Sequence, residues 1–300
     1  MYSYVDVYAK LGTVRLPGRR LHYADGRIYL CPRNASQAAR FDPVTQTWET
    51  FGDKFPVTTF LHNDKWAYPA VSNFDNCMYA FPYLGEGDEE EYKRINRVLQ
   101  INPATSTAKE VGKDLRPLAK AHGSTVWPWH ETVSNADGYI FGIPTRADCV
   151  LRFDPRTEEF ITFGHVKGGA IDKYWTGVAG PSGRYIFCPP ANASRVLCID
   201  TQELTIELIG DEFGSVDEEK WMDAKWMGGA LGGDDCIYCT VTSSRRLLRI
   251  DPVAKTASTF GPDLFRLTGK DFMPYLTICA GMDGCLYGAP YTADRILRVD

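Results

Sequence analysis

The stretch Cys31 to Phe51, CPRNASQAARFDPVTQTWETF, returns twice with little change: Ile143 to Phe163 reads IPTRADCVLRFDPRTEEFITF, and Val241 to Phe260 reads VTSSRRLLRIDPVAKTASTF. The same anchors recur elsewhere. Tyr29, Tyr79, Phe141, Phe187 and Tyr287 are each followed three residues on by a proline (Pro32, Pro82, Pro144, Pro190, Pro290), and Tyr238 by Val241 in the same place. Asp42, Asn102, Asp154, Asp200, Asp251 and Asp300 follow that position by ten residues, except in the second copy, where an insertion makes it twenty. Successive aromatics lie 50, 62, 46, 51 and 49 residues apart. A fixed period of this length is the mark of a repeat architecture.

Each unit reads as four short strands. Segments such as GRIYLCP, GYIFGIP and GCLYGAP are rich in aromatic and β-branched residues and follow a Gly or Asp turn. A small polar turn (RNAS, TRAD, YTAD) leads to a second strand (ARF, VLRF, LLRI, ILRV) ending at the acidic anchor. Asp-Pro-x-Thr then predicts a tight turn, with proline setting φ and the aspartate bonding backbone amides. TWETF, EFITF and TASTF form the next strand, and WAYPAV, WTGVAG, WMGGAL and YLTICA precede the aromatic one. Six such units predict an all-β, six-bladed β-propeller of four-stranded antiparallel blades, with residues 1–300 forming one domain. The sixth unit stops at Asp300, one strand short, and residues 1–14 hold a spare strand, Val5 to Val14, expected to close the last blade and remove two free sheet edges.

The Gly-x-Ile-Tyr and Asp-Pro-x-Thr signatures resemble those of DPxT-type β-propellers, similar in style to the streptogramin lyase, NHL and gluconolactonase groups, over nearly the whole chain. The streptogramin lyase resemblance implies a metal-assisted site of histidine and glutamate near the channel mouth. Of the five histidines, His22, His62, His122, His130 and His165, only His130 stands beside a glutamate, Glu131. That activity is therefore not carried over. A gluconolactonase-like site would need carboxylates and an amide around one divalent ion, and the residues identify no such set.

A net charge of −5 and a pI near 5.6 disfavour nucleic acid and anionic membranes as main partners. The N-terminus lacks a basic start followed by an apolar run, and no stretch approaches the roughly 18 apolar residues of a membrane span. The expected location is intracellular, in the cytoplasm. Nine cysteines, an odd number scattered along the chain, point to reduced thiols rather than a disulfide framework.

The innermost strand of a blade lines the central channel, so the entrances to these strands are the first candidates for a site. Lys65-Trp66, Val126-Trp127, Lys173-Tyr174-Trp175 and Lys225-Trp226 suggest a ring of lysines and aromatics suited to an anionic or carbohydrate-like ligand. The bland alternative packs the tryptophans between blades and leaves the lysines in water. Trp127-Pro128-Trp129-His130-Glu131 departs from its relatives, which marks a place where function is added. Adjacent strand residues point to opposite faces, so a shared role for His130 and Glu131 is disfavoured. The same parity argument separates the thiols of Cys236 and Cys239. Asn34-Ala35-Ser36 and Asn192-Ala193-Ser194 spell glycosylation acceptors but occupy the repeat's own turn. The insertion GEGDEEEYKRIN, residues 85–96, is an acidic hairpin loop, and its Asp88, Glu89, Glu90 and Glu91 form a candidate partner contact. No cofactor or metal is assigned. The expected function is a non-enzymatic interaction or ligand-binding module, working alone or inside a larger assembly, with a protein partner or small ligand. The alternative is a propeller lyase or hydrolase with its site at the channel mouth.

Overall fold

A computed structural model of the chain describes residues 22–57, 65–66, 68–84, 95–124, 126–166, 172–214, 224–270 and 272–300. Six antiparallel sheets follow one another along the sequence. Blade 1 holds β1 (His22–Ala24), β2 (Arg27–Leu30), β3 (Ala38–Asp42) and β4 (Thr47–Phe51); blade 2 holds β5 (Ala70–Val71), β6 (Met78–Ala80), β7 (Val98–Asn102) and β8 (Thr107–Val111). Blade 3 comprises β9 (Trp129–Ser134), β10 (Ile140–Pro144), β11 (Cys149–Asp154) and β12 (Glu159–His165). Blade 4 comprises β13 (Val178–Ala179), β14 (Tyr185–Cys188), β15 (Val196–Asp200) and β16 (Thr205–Ile209). In blade 5 are β17 (Trp226–Leu231), β18 (Ile237–Val241), β19 (Leu247–Asp251) and β20 (Thr256–Phe260); in blade 6 are β21 (Tyr275–Ala280), β22 (Leu286–Pro290) and β23 (Leu297–Val299). Within every blade the strands pair in sequence order, and the first strands of successive blades approach one another from β5 through β9, β13 and β17 to β21. This is a six-bladed propeller with its innermost strands around the axis. Blade 6 has three strands among the described residues. The predicted closing strand, residues 1–14, and most of the acidic insertion, residues 85–94, lie outside them.

The core sits between blades. One apolar cluster joins Tyr79, Phe81, Val98 and Val111 of blade 2 to Trp129, Ile140, Leu151 and Phe153 of blade 3; another joins Phe187, Val196 and Ile209 of blade 4 to Trp226, Ile237 and Leu248 of blade 5. Because the middle strands are covered on both faces, β10 and β15 are apolar along their length instead of alternating.

Three devices repeat with the sequence. The acidic anchor folds its own turn: Asp42 Oδ1 accepts from the amides of Val44 and Thr45, and Asn102 and Asp251 do the same for the residues two and three beyond them. An aspartate four residues before the aromatic accepts its phenol, as in Tyr79 to Asp75 at 2.6 Å, Tyr238 to Asp234 at 2.9 Å and Tyr287 to Asp283 at 2.6 Å. A glycine just beyond the outer strand turns the chain with positive φ. Gly210, at φ +73°, lies so close to Ala257 of the next blade that no Cβ could be added without a collision.

A line of backbone hydrogen bonds then threads the blades together. Within a blade the amides of Tyr83, Thr145, Ala191, Thr242 and Tyr291 donate to the carbonyls of Lys65, Pro128, Lys173, Lys225 and Pro274. Four of those same residues accept from the next blade: Tyr83 from Trp127, Thr145 from Lys173, Ala191 from Lys225 and Thr242 from Met273.

Candidate functional site

In blades 2 to 6 the strand register assigns one aromatic to the entrance of the inner strand. Trp66 bridges Pro82, Trp129 pairs with Pro144, Tyr174 bridges Pro190, Trp226 pairs with Val241 and Tyr275 with Pro290. Trp129, not Trp127, is thus the counterpart of Trp66. These aromatics are joints of the repeat. The indoles of Trp66, Trp129 and Trp226 donate to the carbonyls of Arg97, Cys149 and Arg246, and the Tyr174 phenol to that of Arg195, at 2.8 to 3.1 Å. Each tie holds the inner strand to the turn that opens the third strand of its own blade.

Just past this joint the ladder is disturbed in every blade from 2 to 6. The register slips in β9, β17 and β21. In blades 2 and 4 pairing lapses between the bridge and the two-residue strands β5 and β13. Local chemistry accounts for both lapses. Pro69 has no amide to give the ladder, and Gly177 sits where a Cβ would press on the Ile143 side chain. Such irregularities re-aim side chains. Here they turn Tyr68 and Trp175 toward His130 on the intervening blade.

His130 is buried among aromatic rings. It stacks on Tyr83 with centroids 5.1 Å apart and planes 19° apart, and it meets Tyr68 at 5.0 Å and Trp175 at 5.1 Å. Nδ1 lies 3.2 Å from the Trp175 carbonyl and Nε2 lies 3.1 Å from the Tyr83 hydroxyl. A carbonyl can only accept, so Nδ1 carries a proton, and Nε2 shares its hydrogen bond with the phenol. Trp127 stands at the rim, half-buried, with the Arg146 guanidinium 4.9 Å over its ring and Tyr83 at 6.3 Å. Arg146 is itself held by Asp172 at 2.7 Å. Tyr68 (φ +50°) and Trp127 (φ +46°) both adopt left-handed backbone, an uncommon state for large side chains that concentrates at functional sites. Trp175 is half-buried, yet its indole nitrogen is shielded from solvent and has no hydrogen-bond partner among the described residues. Farther round, Trp175 packs in an apolar group with Met227 and Leu276, which occupy the bulges of blades 5 and 6.

Glu131, next along β9, is buried and turned elsewhere; its carboxylate accepts from the Gly177 amide at 3.2 Å. The lysines are buried too. Lys225 Nζ donates to the carbonyls of Ala193 and Gly214 at 2.8 and 2.9 Å, and Lys173 Nζ reaches the Arg146 carbonyl at 3.3 Å. Lys65 is 1% exposed. Burial pushes the Lys225 ammonium down to about 8 and also lowers Lys173, against the opposing pull of Asp148 and Asp172. The structure therefore brings Trp127, His130 and Trp175 together, and places Lys65, Trp66, Lys173, Lys225 and Trp226 in the joints between strands and blades. Tyr68, Tyr83, Met227 and Leu276 escaped the sequence reading. Pro69 and Gly177, as breaks in strand patterns, were the available signal.

Asp88, Glu89, Glu90 and Glu91 lie outside the described residues. The two thiols of the Cys236-x-x-Cys239 spelling have separate surroundings: Cys236 faces Arg249 at 2.8 Å, whereas Cys239 lies in the core between blades 4 and 5. Asn34 and Asn192 are buried in their turns. A cavity of 310 Å³ opens far from His130, between blades 5 and 6 beside β23, lined by Gly232, Asp234, Tyr238, Gly284, Leu286 and Asp300.

Solved structures share this architecture. The chain is similar to virginiamycin B lyase from Staphylococcus aureus, with TM-score 0.65 and 12% identity over 93% of this chain and 79% of that one. It is also similar to a streptogramin B lyase, with TM-score 0.61 and 12% identity over 93% and 78%. A third likeness is to an auxiliary nutrient binding protein from Bacteroides thetaiotaomicron, with TM-score 0.55 and 12% identity over 93% and 68%. At such identities the likeness concerns the fold alone. No family model and no curated protein sequence matches the chain.

Proposed function

We propose that the chain is a non-enzymatic ligand-binding propeller whose site is the aromatic mouth around His130, and that it takes a small carbohydrate-like ligand. The observation that carries this reading is the pair of lapses in the inner strands of blades 2 and 4, which deliver Tyr68 and Trp175 to either side of His130. The half-exposed aromatic faces of Tyr68, Trp127 and Trp175 suit the apolar face of a sugar ring. The Lys173 and Lys225 ammonium groups are engaged in joints and Lys65 is buried, so an anionic ligand has less support than a neutral one. The nutrient-binding relative supports the same direction. Both nitrogens of His130 are engaged, which favours binding over acid-base work. We place the protein inside the cell, a reading supported by nine unpaired thiols. Among the described residues no helix is long and apolar enough to cross a membrane.

Calorimetric titration with a panel of neutral mono- and oligosaccharides tests the proposal. At least one should bind with a single-site isotherm that Trp175→Ala removes. A panel that yields only ligands insensitive to Trp175→Ala would refute the site. A lyase or hydrolase remains the second reading, favoured by the buried hydrogen bond between the Tyr83 hydroxyl and His130 Nε2, a phenol–imidazole pair able to move a proton. Turnover of a bound sugar that Tyr83→Phe abolishes would select it.

A further inference from the structure

Away from the channel, blade 3 gathers a second set of chemically capable side chains. His122 caps the C-terminus of helix α1 (Arg116–Ala121), Asp148 and Cys149 stand at the start of β11, and His165 ends β12 directly opposite Cys149. His122 Nδ1 lies 2.8 Å from one Asp148 carboxylate oxygen, and His165 Nδ1 lies 3.4 Å from the other. An imidazole nitrogen of His122, a carboxylate oxygen of Asp148 and the Cys149 sulfur all fall within 4.8 Å of one another. Among the described residues no other trio of such groups does so. The backbone fixes the three segments: the Asp148 amide donates to the His122 carbonyl at 3.2 Å, and the Val166 amide to the Asp148 carbonyl at 2.7 Å. Cys149 is buried while His122 and Asp148 are partly exposed, so the group has a closed floor and an open side through which an ion could enter.

We propose that His122, Asp148 and Cys149 bind a borderline-soft divalent ion, zinc by preference, with the fourth position open to water. The donor set decides the metal. Magnesium and calcium favour all-oxygen shells, whereas mixed nitrogen, oxygen and thiolate donors in fourfold array suit zinc. Binding forms a metal–sulfur bond at the expense of the Cys149 S–H bond, whose proton passes to solvent. The thiolate and carboxylate then offset the double positive charge. The three ligands come from a helix end and the start of one strand of blade 3. The ion would therefore staple α1 to the outer hairpin of blade 3, separately from the mouth around His130.

The test uses the full chain, freed of metal by a chelator and titrated with cobalt and then zinc. The expected result is about one equivalent of cobalt bound, with tetrahedral ligand-field bands and a sulfur-to-cobalt charge-transfer band that zinc bleaches, and proton release into weak buffer. Cys149→Ala should abolish the charge-transfer band, and His122→Gln, at a partly exposed position, should weaken affinity at least about tenfold. His130→Gln should change nothing in this titration. No spectral change on adding cobalt overturns the proposal, and so does a charge-transfer band that persists in Cys149→Ala. If Cys149→Ala does not fold, cobalt affinity unchanged in His122→Gln overturns it alone.

Discussion

Blades 3 and 5 set the same indole in the same slot and differ in what surrounds it. Trp129 and Trp226 each donate to the carbonyl before or at the start of the third strand, at 2.9 and 3.0 Å. In blade 5 the preceding residue is Lys225, whose ammonium ties together two carbonyls of blade 4. In blade 3 it is Pro128, which makes no such tie, and the residues on either side of the joint, Trp127 and His130, face the aromatic mouth. A residue that repeats is spent on joining strands and blades. Where the repeat is broken the side chain is released from that duty and becomes available for another.

The comparison breaks first under truncation. Trp226→Ala should cost about 3–5 kcal/mol, since it opens a cavity and orphans a carbonyl, whereas Trp127→Ala at the rim should cost only about 1 kcal/mol. Urea unfolding of both variants measures the difference, and equal losses would mean that rim and joint are not distinct. Gly210→Ala should follow at about 1–3 kcal/mol, from the left-handed backbone and the collision with Ala257. Gly214→Ala, also at positive φ but with open space around it, separates backbone strain from crowding.

Lys225 gives a smaller effect with a sign. Burial holds it at about 8, below the ordinary 10.5, so between those values the unfolded chain carries a proton that the folded protein has lost. Stability should therefore rise as pH climbs through that window. Lys225→Met should flatten the rise relative to the parent, as read from urea midpoints at each pH. Parallel curves for the two proteins would show that the ammonium is stabilised by its two carbonyls as well as it is by water.

The fold was legible because six copies of one unit each carry an aspartate or asparagine anchor, an aromatic and a strand pattern, so an error in one copy is corrected by five others. The Tyr79–Asp75 type of bond is spelled in the sequence as an aspartate four residues before a tyrosine, and it joins the turn to the strand that follows. The aromatic cluster was partly legible. Trp127 and His130 stood out in a stretch that departs from the repeat and Trp175 as a member of the recurring lysine–aromatic ring, but Tyr83 meets His130 across 47 residues of chain, a distance no local period encodes. The lysines were misleading for a physical reason. A repeated Lys-aromatic step looks like a charged rim, yet the long stem of Lys225 can bury itself and still deliver its ammonium to backbone oxygens.

The smallest expected change in stability is at Trp175, and it is the sharpest test of the contrast between joint and mouth. Its indole nitrogen is shielded from water and has no partner among the described residues, a state that costs a folded protein about 1–3 kcal/mol. Trp175→Phe removes that orphaned donor and keeps an aromatic face toward His130, at the loss of some contact area. The urea midpoint should accordingly stay level or rise, by up to about 1 kcal/mol in stability. The same exchange at a joint, Trp226→Phe, should lower stability, because there the indole hydrogen bond to Arg246 is made in the protein itself. If Trp175→Phe destabilises as Trp226→Phe does, then Trp175 is another joint, and the contrast between joint and mouth fails at the residue that should show it most clearly.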